Sequence, residues 1–197
     1  SPLYIEGGVK GVACGPNHSL FLTEDGRLFG LGQDRPLGVS GDRFDPVFMA
    51  TGVTRMAAGM RHSLWLNGDG DLLGSGRNIQ GQLGPDTPTG GLGFFLIREE
   101  DVRDLSAGNY FSLFTVAEDD GAVRAYGVGL NDFGELGSSG DPQPVMLSGT
   151  ANHVEGGGYS SYIVHPAAYD LPGFGTVRAI RNRVFDSDSL GRLHFRF

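Results

Sequence analysis

Four segments of this chain align on a glycine followed four residues later by a serine, Gly15 with Ser19, Gly59 with Ser63, Gly108 with Ser112 and Gly157 with Ser161, spaced 44, 49 and 49 residues apart. A repeat of that length constrains the fold more than any composition figure. One such unit cannot bury its own apolar face and must stack on copies of itself. Each serine opens a short apolar stretch: Leu20-Phe21-Leu22, Leu64-Trp65-Leu66, Leu113-Phe114 and Tyr162-Ile163-Val164. The second half of the unit recurs too. Asp25-Gly26, Asp69-Gly70 and Asp120-Gly121 each precede a second apolar run that ends in Gly30-x-Gly32, Gly74-x-Gly76 or Gly127-x-Gly129. Each unit then reaches Leu37-Gly38, Leu83-Gly84 or Leu136-Gly137.

The unit reads as an apolar strand, an Asp-Gly turn in which glycine accepts a positive φ, and a second short strand. The 34 glycines, about two and a half times the ordinary usage of ~7%, lie between short apolar runs and without a Gly-X-Y period. They mark many tight turns rather than collagen or linker. Antiparallel strands are expected at 12–22, 27–31, 56–66, 71–75, 105–116 and 123–127, with almost no helix before residue 166. Leu20, Leu22, Leu64, Leu66, Leu113 and Ile163 should be buried between units, with Trp65 and Phe114 on the opposite sheet surface. Pro46, Pro85 and Pro142 are read as lying in connections, where a missing N–H breaks no ladder.

The fullest copies join Gly59-Met-Arg-His62-Ser63, Asp69-Gly70 and Gly76-Arg-Asn78-Ile-Gln-Gly81-Gln82-Leu83-Gly84, with Gly129-Leu-Asn131-Asp-Phe-Gly134-Glu135-Leu136-Gly137 in the next unit. These blocks, in register over about residues 9–165, resemble the repeat of the regulator of chromosome condensation family, some three and a half times over. The resemblance implies an all-β fold of four-stranded blades arranged radially, usually seven to a ring. Too few units are present here for seven blades, so a partial or open β-propeller is expected. Its divisions fall at about 9–52, 53–101, 102–150 and 151–165 within 1–165, followed by a short non-repeat tail at 166–197. The first unit lacks the Asn, and Phe111 and Ser160 replace the His in the third and fourth.

No catalytic constellation emerges from these residues. His18 and His62 share one repeat position without an acid or nucleophile beside them, and are read as structural imidazoles, half-buried and bonded to backbone in their own blade. Cys14 on the same strand would stand about 13 Å from His18, too far for a shared zinc. Asn67-Gly-Asp69-Gly-Asp71 has the look of a calcium loop, but Leu72 occupies the glycine position and Asn78 the position of the bidentate Glu, so it is read as a hairpin tip. Glu99-Glu100-Asp101 and Glu118-Asp119-Asp120 are read as solvated loop charges. The Gly-x-Gly pairs lack the third glycine of a dinucleotide fingerprint, and the single lysine, Lys10, is in no phosphate loop. Neither cofactor nor metal is expected.

The net charge of −8 argues against general nucleic-acid binding, and the apolar runs are too short to span a membrane as a helix. One cysteine excludes an internal disulfide. Residues 166–197 hold five arginines against three aspartates, so a basic tail of +2 follows a body of −10. In it Thr176 is read as capping a short helix, with Val177, Ile180 and Val184 on one face and Arg178 and Arg181 turned away. The last residues alternate, Leu193, Phe195 and Phe197 against Arg192, His194 and Arg196, as in a strand. Arg178, Arg181, Phe185, Arg192, Phe195, Arg196 and Phe197 are the expected partner-binding residues. The resemblance also implies activities to test. Nucleotide exchange on the small GTPase Ran needs a complete ring, and the plant UV-B photoreceptor needs clustered tryptophans where only Trp65 is present. The expected function is a non-catalytic protein–protein interaction module, an accessory or structural subunit of a hetero-oligomeric, intracellular assembly, organellar (for example mitochondrial) or cytoskeletal. Its partners would be other protein subunits. The alternative is a regulatory fragment related to exchange factors for small GTPases.

Overall fold

The computed structural model describes residues 8–137, 144–148 and 150–165, with the backbone of Thr176–Ile180, Phe185–Ser187 and Leu193–Phe195. Among the described residues the regular structure is all strand except one turn of 3-10 helix, Arg35–Leu37. Strands β1 (Val9–Cys14), β2 (His18–Thr23), β3 (Leu28–Gly32) and β4 (Arg43–Ala50) pair in chain order as one antiparallel sheet. β5 (Val53–Ala58), β6 (His62–Asn67), β7 (Leu72–Gly76) and β8 (Phe95–Arg98) form the second. β9 (Val102–Ala107), β10 (Phe111–Ala117), β11 (Val123–Gly129) and β12 (Val145–Ser148) form the third. The fourth is β13 (His153–Gly156), β14 (Ser161–His165) and β15 (Thr176–Ile180), and β16 (Phe185–Ser187) pairs with β17 (Leu193–Phe195) in a separate hairpin. The sheets are successive blades of an open propeller. Their first strands lie side by side, β1 beside β5, β5 beside β9 and β9 beside β13.

Three readings of the sequence need correction. The spans 12–22, 56–66 and 105–116 each hold two strands and the turn between them. In that turn the N–H of Gly15, Gly59 or Gly108 donates to the carbonyl of His18, His62 or Phe111 at 2.9 Å. The outer strands β4, β8 and β12 carry too mixed a pattern to stand out, and Pro46 lies within β4 rather than in a connection. As the outermost strand of its blade β4 pairs on one side only, and its register slips around Pro46: Gly30 faces Val47 while Gly32 faces Arg43. Pro85 is in a loop as expected, and Pro142 lies outside the described residues. Finally, Thr176–Ile180 is a strand and not a helix, paired residue for residue with Ser161–His165. Five residues rich in β-branched side chains have little reason to nucleate a helix beside an open strand edge.

Register explains the core. Val12, Phe21, Phe29 and Phe48 stand opposite one another across blade 1, as do Met56, Trp65, Leu73 and Leu96 across blade 2. Leu105, Phe114, Tyr126 and Met146 repeat the row in blade 3, and Val154 with Ile163 in blade 4. This is the leading face of each blade. Leu20, Leu22, Leu64, Leu66 and Leu113 alternate with it and form the trailing face. Trp65 packs among Leu20, Leu22, Leu28 and Leu37 of blade 1, Phe114 among Leu64, Leu66, Leu72 and Leu83 of blade 2, and Ile163 with Leu113 and Leu136 of blade 3. All six residues expected in the core are buried, although Ile163 belongs to the leading face with Phe114 and not with Leu113.

Leu64 is wholly buried at the junction of blades 2 and 3. Leu64→Ala is therefore expected to cost about 2–5 kcal/mol, read as a lowered midpoint in denaturant unfolding. A loss below about 1 kcal/mol would contradict the packing described.

Candidate functional site

The blades are latched by a buried polar contact that recurs with the repeat. His18 and His62 are both buried, and each ring reaches the next blade rather than backbone in its own. His18 Nε2 lies 3.0 Å from Ser63 Oγ, and His62 Nε2 lies 3.1 Å from Ser112 Oγ. Ser63 donates its only proton to the Pro36 carbonyl at 2.7 Å, and Ser112 donates its own to the Gln82 carbonyl at 2.7 Å. Each serine must therefore accept from the imidazole, which fixes the Nε2–H tautomer. Nδ1 of both rings is left buried without a hydrogen-bond partner. In the third repeat Phe111 is buried in the histidine position, and Ser161 keeps its bond to the Glu135 carbonyl.

The glycine four residues before each serine has a reason in this latch. A Cβ on Gly59 would collide with the His62 ring, as one on Gly108 would with the Phe111 ring. Burial holds both imidazoles neutral. It pushes His18 down to about 4 and His62 down to about 3, the nearby His18 ring adding to the effect on His62 while a backbone hydrogen bond at Phe111 opposes it.

A second network was not legible in the sequence. Arg55, Asp104 and His153 occupy one repeat position on the first strands of blades 2, 3 and 4. Buried Asp104 accepts from Arg55 Nη1 at 2.9 Å, from the Val154 N–H at 3.1 Å, and meets His153 Nδ1 at 2.5 Å. Opposite charges at equivalent repeat positions were the signal that could have revealed it.

The loops are ordered from within. Asn78 donates to the carbonyls of Gly84 and Thr87 and accepts from the Leu83 N–H, which closes the loop after β7. Residues 67–71 form the expected hairpin tip, with the N–H groups of Asp69 and Asp71 on Asn67 Oδ1. The acidic runs are surface groups: Asp101 pairs with Arg103, and Asp120 with Arg124. No cluster of three or more His, Cys, Asp or Glu among the described residues is placed to hold a metal, and no helix among them is long and apolar enough to cross a membrane.

The leading face of blade 1 differs from its counterparts. Val12 is 71% exposed, whereas Leu105 and Val154, in the same repeat position, are 7% and 0% exposed. Cys14 is exposed too, beside Ser19, whose equivalents Ser63, Ser112 and Ser161 are buried. Phe48, at the outer end of the row, is half in solvent.

Among the expected partner-binding residues, Arg178 falls in β15 opposite Ile163, and Phe185 in β16 stands opposite Phe195 in β17. Arg181, Arg192, Arg196 and Phe197 lie outside the described residues.

The sequence family described as the regulator of chromosome condensation (RCC1) repeat matches residues 9–35, the first strands of blade 1 and the turn that follows them. No curated protein sequence matches the chain. Among solved structures it is similar to yeast RCC1 (Prp20) bound to Kap60, with a TM-score of 0.69 and 23% identity over 90% of this chain and 45% of that one. It is similar also to Prp20p from Saccharomyces cerevisiae (TM-score 0.70, 23% identity, 90% and 47% covered) and to human WBSCR16 (TM-score 0.72, 20% identity, 95% and 51% covered). The chain thus spans about half the length of the structures it matches. An RCC1 repeat is thus matched in blade 1, and the fold of the chain is an arc of an RCC1-type β-propeller.

The latch predicts an acid limit to stability. Both histidines titrate lower in the folded chain than unfolded, so their contribution is complete above about pH 6.5 and falls away as pH drops toward 4 and 3. At pH 5 the two together should cost on the order of 2–4 kcal/mol relative to pH 7. His62→Phe, which installs the third repeat's own solution, should fold and halve that slope, as read by urea unfolding at several pH values. An unchanged slope would contradict the latch.

Proposed function

We propose that this chain is a non-catalytic protein-interaction module, an accessory or structural subunit that joins a larger intracellular assembly through the leading edge of blade 1 and its C-terminal tail. The observation that carries the reading is the exposure of Val12, at a position where blades 3 and 4 bury Leu105 and Val154 and blade 2 partly buries Met56 against the blade before them. Propeller blades hold loops and edges rigidly, and exposed apolar side chains at such an edge, here Val12 and Phe48, favour association. The basic tail, with Arg178, Phe185 and Phe195 as its candidate contacts, supplies a second attachment of charge opposite to the body.

A regulatory role related to guanine-nucleotide exchange is the second reading. It is supported by likeness to Prp20p, whose structure is described together with binding to Gsp1p and histones. Accelerated release of labelled guanine nucleotide from a small GTPase by the isolated chain would favour it over the subunit role.

Cys14 provides the test of the first reading, because it is exposed on the leading face and is the only cysteine. In the native assembly it should resist a maleimide that labels the isolated chain completely, and Val12→Asp should release the chain without lowering its own melting temperature. Full labelling within the assembly would contradict docking at this edge. Because β15 is the third strand of blade 4, the tail is best tested in a chain ending after residue 180, which should be retained less well by its partners while its blades unfold normally.

A further inference from the structure

We propose that a groove at the junction of blades 2 and 3, floored by Arg61 and Arg77, docks an acidic segment of a partner protein whose carboxylate lies next to an aliphatic side chain. The proposal rests on the reading of the chain as a protein-binding module, but not on the open edge of blade 1. The Arg77 N–H donates to the Arg61 carbonyl at 2.9 Å. Gly76, at φ +115, permits that approach because a Cβ there would strike the same carbonyl. The two arginines thus start from adjacent points of the backbone. They line one recess of about 220 Å3 together with Ile79, Gln80, Gln82 and Tyr110.

The other repeats serve as internal controls. Equivalent backbone bonds join Gln33 to Asn17 at 2.8 Å in blade 1 and Leu130 to Tyr110 at 2.9 Å in blade 3. The fold is therefore built at these positions with neutral side chains, and only blade 2 places a cation at both. Among the described residues neither arginine forms an ion pair, whereas Arg27, Arg55, Arg103 and Arg124 each meet a carboxylate. Asp132 lines the adjoining groove with Ile79. Two neighbouring guanidiniums repel one another, and the arrangement becomes favourable when a carboxylate bridges them with charge-assisted hydrogen bonds.

The surroundings select a peptide over a free inorganic anion. Ile79 is 61% exposed at the mouth of the recess, Tyr110 forms part of its wall, and Phe133 packs edge-on to Tyr159 at 5.3 Å on the next loop. Arginine and tyrosine beside exposed apolar groups is the composition of an energetically dominant protein contact. An inorganic anion would use the arginines and leave Ile79 idle.

The test pans a phage-displayed library of random dodecapeptides against the full chain, then measures a selected peptide by fluorescence polarisation. Selected peptides should share a Glu or Asp within two residues of a Leu, Ile or Val. Their Kd should rise at least tenfold in the Arg61→Gln/Arg77→Gln double variant, and comparably when the aliphatic residue is changed to Ser. The melting temperature of the double variant, measured alongside, should equal that of the parent. Peptides without an acidic residue, affinity unchanged in the double variant, or binding abolished by millimolar inorganic phosphate and indifferent to the aliphatic residue would each overturn the proposal. These readouts do not involve Cys14 or Val12, so a failure here is distinguishable from a failure of the edge-docking reading.

Discussion

The structure depends on a single constraint: each blade has two apolar faces and can cover neither by itself. The row Met56–Trp65–Leu73 of blade 2 is covered only because Leu20, Leu22 and Leu37 of blade 1 lie against it, and the row of blade 3 only because of Leu64, Leu66 and Leu83. Hydrophobic burial here belongs to junctions, not to blades. The latch of imidazole, serine hydroxyl and loop carbonyl sits in the same junctions and sets the register that the non-directional apolar contact leaves loose. The buried imidazoles fit there because Nε2 of each finds a serine in the next blade.

The same logic explains which departures from the repeat are harmless. Phe111 replaces a latch histidine by filling the imidazole's volume with a ring that needs no partner, while Ser161 keeps its carbonyl. Asp104 is buried but not left unpaired, because Arg55 and His153 reach it from the blades on either side and offset part of its desolvation. Arg61 and Arg77 are departures of another kind. They answer no requirement of the junction, and so they are read as facing outward, toward a partner.

Fold class and most of the core were legible in the sequence because glycine and serine recur in register, and alternation after Ser63 or Ser112 assigns Leu64, Trp65, Leu113 and Phe114 to opposite faces. The outer strands were not legible, since a strand paired on one side tolerates Pro46 and polar residues and so leaves no clean period. Nor was the target of His18 and His62, because the serine each ring meets is 45 or 50 residues away and belongs to the next copy of the motif. The tail was misread where short-range helical spacing at Val177 and Ile180 competed with a free strand edge, and the edge prevailed. The exposed part of the leading face of blade 1 was not legible either. Its position at Val12 and Cys14 required the register.

If junctions hold this molecule together, protection from hydrogen exchange should follow the number of covered faces rather than the quality of each sheet. Hydrogen exchange followed by mass spectrometry on the isolated chain should find the slowest amides in β6 and β10, whose blades are covered on both sides, and markedly faster exchange throughout β1–β4. Equal protection of β2 and β6, or a blade 1 that outlasts blades 2 and 3, would contradict the account.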